Sequence, residues 1–138
     1  MLRGTAESLA PITEPARADG TEAPRAGLPI ASLTCAVLAR VLAAEGDDVA
    51  ALHAARRAMS ILSHLGALEE GEGRVRLVHA ELLEPAGAHD AARAALARAR
   101  QRLLDRAARI GDPALRGSFL GRVEEHARTL ALAASWRV

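Results

Sequence analysis

Residues 77–110 read LVHAELLEPAGAHDAARAALARARQRLLDRAARI. The spacing predicts two helices joined by a reversal. Before the break, Val75, Val78, Leu82 and Leu83 form one apolar stripe. After it, Ala92, Leu96, Ala99, Leu103 and Ile110 form another, at the three- and four-residue intervals of a single helical face. Pro85 ends the first helix, because its ring collides with the carbonyl of Glu81. Gly87 permits the tight reversal that follows.

The same hairpin pattern occurs once more upstream, over residues 38–65. Shifting the chain by 41 residues places Ala39 on Ala80, Leu42 on Leu83, Gly46 on Gly87 and Ala51 on Ala92. It also places Ala54 on Ala95, Arg57 on Arg98, Ala58 on Ala99 and Leu62 on Leu103. In the upstream copy, Leu33, Val37, Leu38, Val41 and Leu42 follow helical spacing, with Pro29 in the first turn, where its missing N–H costs nothing. Asp47 or Asp48 caps the next helix by accepting free backbone N–H groups. That helix sets Val49, Leu52, Ala55, Met59 and Leu62 on one stripe, and Gly66 closes it. Glu69, Glu70 and Glu72 favour the N-terminus of the third helix through its dipole. After the second hairpin, Asp112–Pro113 restarts a helix, a bend falls near Gly121, and a last helix runs to about Trp136.

The expected architecture is therefore all-α. Residues 1–28, with Pro11, Pro15 and Pro24, hold no apolar period and are expected to be a disordered tail. A helical domain fills 29–138, with one hairpin over about 31–66, a second over about 69–110 and a capping segment over about 112–137. The chain of 138 residues suits one ordinary domain.

Composition narrows the function. Half the residues are hydrophobic, but there is one Phe, one Trp and no Tyr. Ala-rich helices approach one another closely and bury little area per residue. A net charge of +1 argues against a general polyanion binder. All 18 basic residues are Arg, and Lys and Asn are absent. The single Cys35 forms no internal disulfide, which fits a reducing cytoplasm. The longest uncharged run, 26–39, is too short to span a bilayer, so no membrane role is expected.

No catalytic constellation is present, and no cofactor or metal is expected. His53, His64, His79, His89 and His126 form no HExxH and no tight ligand cluster. Ser60, Ser63, Ser118 and Ser135 have no nucleophile-elbow context. Cys35 lies among apolar neighbours and reads as a small core residue. The helix over 90–110 carries Arg93, Arg98, Arg100, Arg102, Arg106 and Arg109 against Asp90 and Asp105. The acidic segment before it, with Glu69, Glu70, Glu72, Glu81 and Glu84, offers partners of opposite sign. A nucleic-acid strip is disfavoured by that acidic half and by the lack of stacking aromatics.

The two hairpins resemble the tetratricopeptide repeat. Leu38, Ala39, Leu42, Gly46, Ala51 and Ala58 occupy the motif's places in the first copy, and Ala80, Leu83, Gly87, Ala92, Leu96 and Ala99 in the second. The period is longer than the usual 34 residues, His79 stands where Leu38 stands, and the early aromatic is missing from both copies. The final segment DPALRGSFLGRVEEHARTLALAASW resembles the close of long-period arrays at the C-terminal ends of bacterial multidomain signalling proteins, among them serine/threonine kinases and ATPase-linked regulators. The resemblance implies a short α-solenoid of two hairpins plus capping helices, and a non-enzymatic scaffold for a protein or peptide partner in regulation or signalling. The family's concave face would here include Ala36, Arg40, Arg74, Leu77, Glu81 and Glu84. The family's Lys- and Asn-based carboxylate clamp has no counterpart, which leaves Arg40 or Arg74 to grip a carboxylate. Two hairpins are few for a solenoid, so self-association through the open N-terminal face is expected as a further possibility. The alternative function is an oligomerisation or DNA-linked regulatory domain using the Arg-rich helix 90–110.

Overall fold

The structure is a computed structural model that describes residues 22–138, with side chains from residue 26 onward. Six α-helices are found among the described residues: α1 (Glu22–Ala44), α2 (Asp48–Leu65), α3 (Glu72–Leu83), α4 (His89–Ala108), α5 (Pro113–Gly121) and α6 (Glu124–Trp136). The described residues form an all-α fold.

Of the stretch 1–28 expected to be a tail, residues 1–21 lie outside the described residues, and residues 22–28 are helical. The first helix therefore begins before Pro29. Pro24 falls in its first turn, where no intrahelical N–H bond is lost. Pro29 lies inside α1 and leaves one i→i−4 bond unmade. The continuation past Arg40 makes the apolar stretch of α1 longer than its uncharged run suggests. Residues 26–44 have mean hydropathy 1.8, long and apolar enough to cross a membrane by length and composition. Two contacts dock this helix onto the rest of the fold: Ser32 Oγ donates to the Ala58 carbonyl at 2.9 Å, and Arg40 pairs with Glu81.

The ends of the helices follow their local chemistry. Asp47 accepts the Ala50 N–H at 3.1 Å, and Asp112 accepts that of Ala114 at 3.4 Å, with Pro113 opening α5. Gly66 takes φ +88° and donates to the Leu62 carbonyl at 2.8 Å, closing α2. α3 stops at Leu83, ahead of Pro85.

The turns after α1 and α3 are built alike. Gly46 at φ +87° donates to the Ala43 carbonyl, and Asp47 N–H donates to that of Leu42 at 2.9 Å. Gly87 at φ +84° donates to the Glu84 carbonyl, and Ala88 N–H donates to that of Leu83 at 3.1 Å. Both are Schellman closures, with the left-handed residue supplied by glycine. α6 closes on the same pattern: Arg137 at φ +60° donates to Ala134, and Val138 N–H donates to Ala133. Burial also recurs at the 41-residue shift. The pairs Ala36/Leu77, Ala39/Ala80, Ala51/Ala92, Ala55/Leu96, Ala58/Ala99 and Leu62/Leu103 are all buried.

Small side chains make the α1–α2 contact. Ser32, Ala36 and Ala39 on α1 meet a face of α2 lined by Ala54, Ala55 and Ala58. Here the apolar pattern misleads at four positions. Val37, Leu38 and Val41 on α1 are about half exposed and Val49 on α2 is largely exposed, because the helices approach through their alanines rather than through the larger residues. The larger core lies further along the chain. Leu52, Leu77, Leu83 and Leu96 cluster there, with Ala133, Trp136 and Val138 brought onto them by α6. Each fully buried Leu contributes about 1.5–3 kcal/mol relative to exposure.

α3 is the central element. It packs against α2 and α4, and also against α1 and α6. Early residues meet early ones and late meet late: Leu33 lies against Gly71 and Arg40 pairs with Glu81, while His126 lies against Gly73 and Ala133 joins the cluster containing Leu83. α1, α3 and α6 therefore run in the same direction, side by side, with α3 in the middle.

A candidate binding groove across three parallel helices

This three-helix face carries a charged rung. Glu81, on the middle helix, receives Arg128 Nε at 2.7 Å from α6 and faces Arg40 Nη2 at 3.4 Å from α1. A second link joins Arg74 Nη2 to Glu125 Oε1 at 3.7 Å. The three arginines are roughly half exposed. Between the links opens a groove of about 240 Å³, lined by Val37, Arg40, Arg74, Glu124, Glu125 and Arg128, with Leu77 at its floor.

The residues singled out in the sequence fall in different places. Arg40 and Arg74 line the groove, and Glu81 links its two outer helices. Leu77 has no exposed surface and belongs to the core; Ala36 is likewise fully buried on the α1–α2 side. Ala36 lies outside the groove, whereas Leu77 supplies part of its floor. Glu84 is outside the lining and faces His89 Nδ1 at 2.9 Å across the α3–α4 turn. Glu124, Glu125 and Arg128 also line the groove, from the segment 112–137 whose expected role is only that of a cap. Their three- and four-residue spacing, which puts charges on one edge of α6, was the available signal.

What fixes α6 in place is a cluster at its start. His126 is buried with its ring 4.5 Å from that of Phe119. Its Nδ1 donates to the Phe119 carbonyl at 2.7 Å; a carbonyl only accepts, so this nitrogen carries the proton. The ring lies against the backbone of Gly73, where a Cβ would come within 2.9 Å of Cδ2. Arg106 of α4 covers Phe119, its guanidinium carbon 5.6 Å from the ring centre.

Beneath this face lies a buried carboxylate. Glu72 is 1% exposed, and both oxygens are used: Oε1 accepts the Leu68 N–H at 3.2 Å and Arg102 Nη2 at 3.3 Å, and Oε2 accepts Arg76 Nε at 3.0 Å and Arg102 Nε at 2.7 Å. Burial alone pushes this carboxyl up, but the hydrogen bonds from Arg102, Arg76 and Leu68 outweigh it and hold it below the usual carboxylate range. The sequence offers Glu72 both as a dipole partner and as an opposite-sign partner of the Arg-rich helix, and the structure makes the second pairing but buries the carboxylate. Its role needs α4 to deliver an arginine from 30 residues away. Arg102 and Arg106 are thus turned inward, onto Glu72 and Phe119, rather than forming part of a free basic strip.

His79, at the junction of α2, α3 and α4, is held below its ordinary value by burial and then by the charges of Arg56 and Arg98. Among the described residues, no three His, Cys, Asp or Glu side chains converge to hold a metal. No protein-family model, curated protein or solved structure matches the chain.

Proposed function

We propose that this chain is a non-enzymatic interaction module, a short helical-repeat scaffold of the tetratricopeptide kind, that holds a peptide or protein segment in the groove across α1, α3 and α6. The observation that carries the reading is the Arg40–Glu81–Arg128 rung, which lines up three parallel helices beside an open, charged groove. The matched Schellman turns and the paired burial 41 residues apart support the repeat part of it. Charges of both signs line the groove, which suits a segment carrying both signs and disfavours a polyanion. Arg74, whose link to Glu125 is the longest at 3.7 Å, is the group best placed to exchange its partner for a ligand carboxylate. A regulatory role in a cytoplasmic signalling assembly follows from the same family likeness.

The DNA-linked alternative is weaker, because Arg102 and Arg106 of the Arg-rich helix are committed inside the fold. Selection from a displayed random-peptide library, followed by titration of the selected peptides, tests the proposal. Selected peptides should lose about tenfold or more in affinity on Arg74→Ala or Arg128→Ala, equivalent to about 1.4 kcal/mol. Peptides that bind the parent and both variants equally would remove the groove as the site.

A further inference from the structure

Ile30 is 69% exposed, Leu38 and Val41 are each 47% exposed, and Val37 is 46% exposed. They stand at helical spacing on one face of α1. Among the described residues, the other large apolar side chains left this open are Val49 and Leu115, each without such a neighbour on its own helix.

The 41-residue correspondence indicates what kind of surface this face suits. Ile30, Val37, Leu38 and Val41 match Gly71, which precedes α3, and Val78, His79 and Leu82 on α3. Val78 is buried against Ala39, Ala54 and Ala55 of the first hairpin; Leu82 packs on the same cluster, and Gly71 lies against Leu33. This is the side by which α3 receives α1 and α2. The same side of α1 receives no helix among the described residues. A copy of the chain does not present the matching surface at its other end, because α5 and α6 already lie there, on α4 and on α3 and α4 respectively. Head-to-tail stacking is closed, and the α1 stripe is the apolar face left to pair.

We infer that two copies of this chain associate through α1, stripe against stripe about a twofold axis. A twofold contact lets one self-complementary patch close on itself. The stripe itself is uncharged, and Arg40 beside it is engaged by Glu81, so like faces meet without like charges. Its area is of the order of the larger patches on ordinary monomers, roughly 300–600 Å². Twice that reaches the lower end of stable interfaces, about 1,200 Å² in total. The dimer is therefore weak and concentration-dependent. The stripe meets the peptide groove at Val37, but Ile30, Leu38 and Val41 do not line the groove, so substitutions at Leu38 and Val41 test the dimer separately.

Sedimentation velocity on the full chain between about 1 and 100 μM, the range in which a weak dimer forms, tests it. The parent should shift towards dimer as concentration rises. Leu38→Glu and Val41→Glu should stay monomeric at tenfold higher concentration with unchanged far-UV circular dichroism. Val49→Glu should behave as the parent. In a Cys35→Ala background, Leu38→Cys should form a disulfide-linked dimer under mild oxidation and Val49→Cys should not. A parent that stays monomeric throughout, or a dimer indifferent to Leu38→Glu, overturns the inference. So does a monomer that sediments with phosphatidylcholine/phosphatidylglycerol vesicles and loses them on Leu38→Glu, which would assign the stripe to a lipid surface.

Discussion

Arg102 Nε donates to Glu72 Oε2 at 2.7 Å, tying the middle of α4 to the first turn of α3. The carboxylate is buried while the guanidinium keeps a partly open edge, with Arg102 at 31% exposure. That asymmetry sets the cost of breaking the pair. Glu72→Ala frees two arginines that can reach water but orphans the Leu68 N–H, and should destabilise by about 1–3 kcal/mol. Arg102→Ala leaves the carboxylate to Arg76 and Leu68 and should cost less than Glu72→Ala. Urea denaturation of both single variants and the double variant measures the coupling, and additive single effects would argue against the pair.

The same carboxylate gives an acid dependence. Its folded pKa lies below its unfolded value, near 4.5, so the unfolded chain binds the proton more readily. The stability it contributes is fully present above about pH 4.5 and is lost as pH falls through the folded value. Glu72→Gln should therefore flatten the stability–pH curve on the acid side of pH 4.5 and leave its shape at neutral pH alone.

His79 acts in a higher window. Its folded pKa is below 6.5 because of burial and the charges of Arg56 and Arg98. Stability should be complete above pH 6.5 and decline below it, as the unfolded chain takes up a proton that the folded chain refuses. Thermal melts of His79→Gln between pH 7 and pH 5 should show less decline than the parent. An equal decline in both would remove His79 as the cause.

Gly46 and Gly87 share a left-handed backbone, and at both positions an added Cβ meets nothing within 4 Å. Alanine there costs only conformational strain, about 1–2 kcal/mol, and the two substitutions should cost the same within error. Gly71 differs. It has the same backbone, but a Cβ would run into the Leu33 side chain. Gly71→Ala should cost more than either, and truncating Leu33 should recover part of the excess. Equal losses at all three glycines would show that the α1–α3 contact is looser than described.

Arg128→Ala removes an exposed partner of Glu81 while Arg40 remains, so its effect on stability should stay within about 1 kcal/mol. A loss of several kcal/mol in chemical denaturation would make that rung a structural brace rather than a surface open to a ligand.

The helices and their ends were legible in the sequence because the signals are local. Asp47 and Asp112 cap, Pro85 follows the end of α3, and Gly46, Gly66 and Gly87 reverse the chain, each through atoms a few residues apart. Arg40 and Arg74, put on one face by the resemblance to the tetratricopeptide repeat, do line the groove. Tertiary packing decided the rest. Which side of α1 is buried depends on how closely two alanine faces can approach, so Val37, Leu38 and Val41 turned outward despite their apolar character. Glu72 became a buried anchor because α4 brings Arg102 beside it, and Leu77 forms the closed floor of the groove because α6 packs over it. A single strand of sequence carries its own periodicity but no record of the partner element that lies 30 or more residues away.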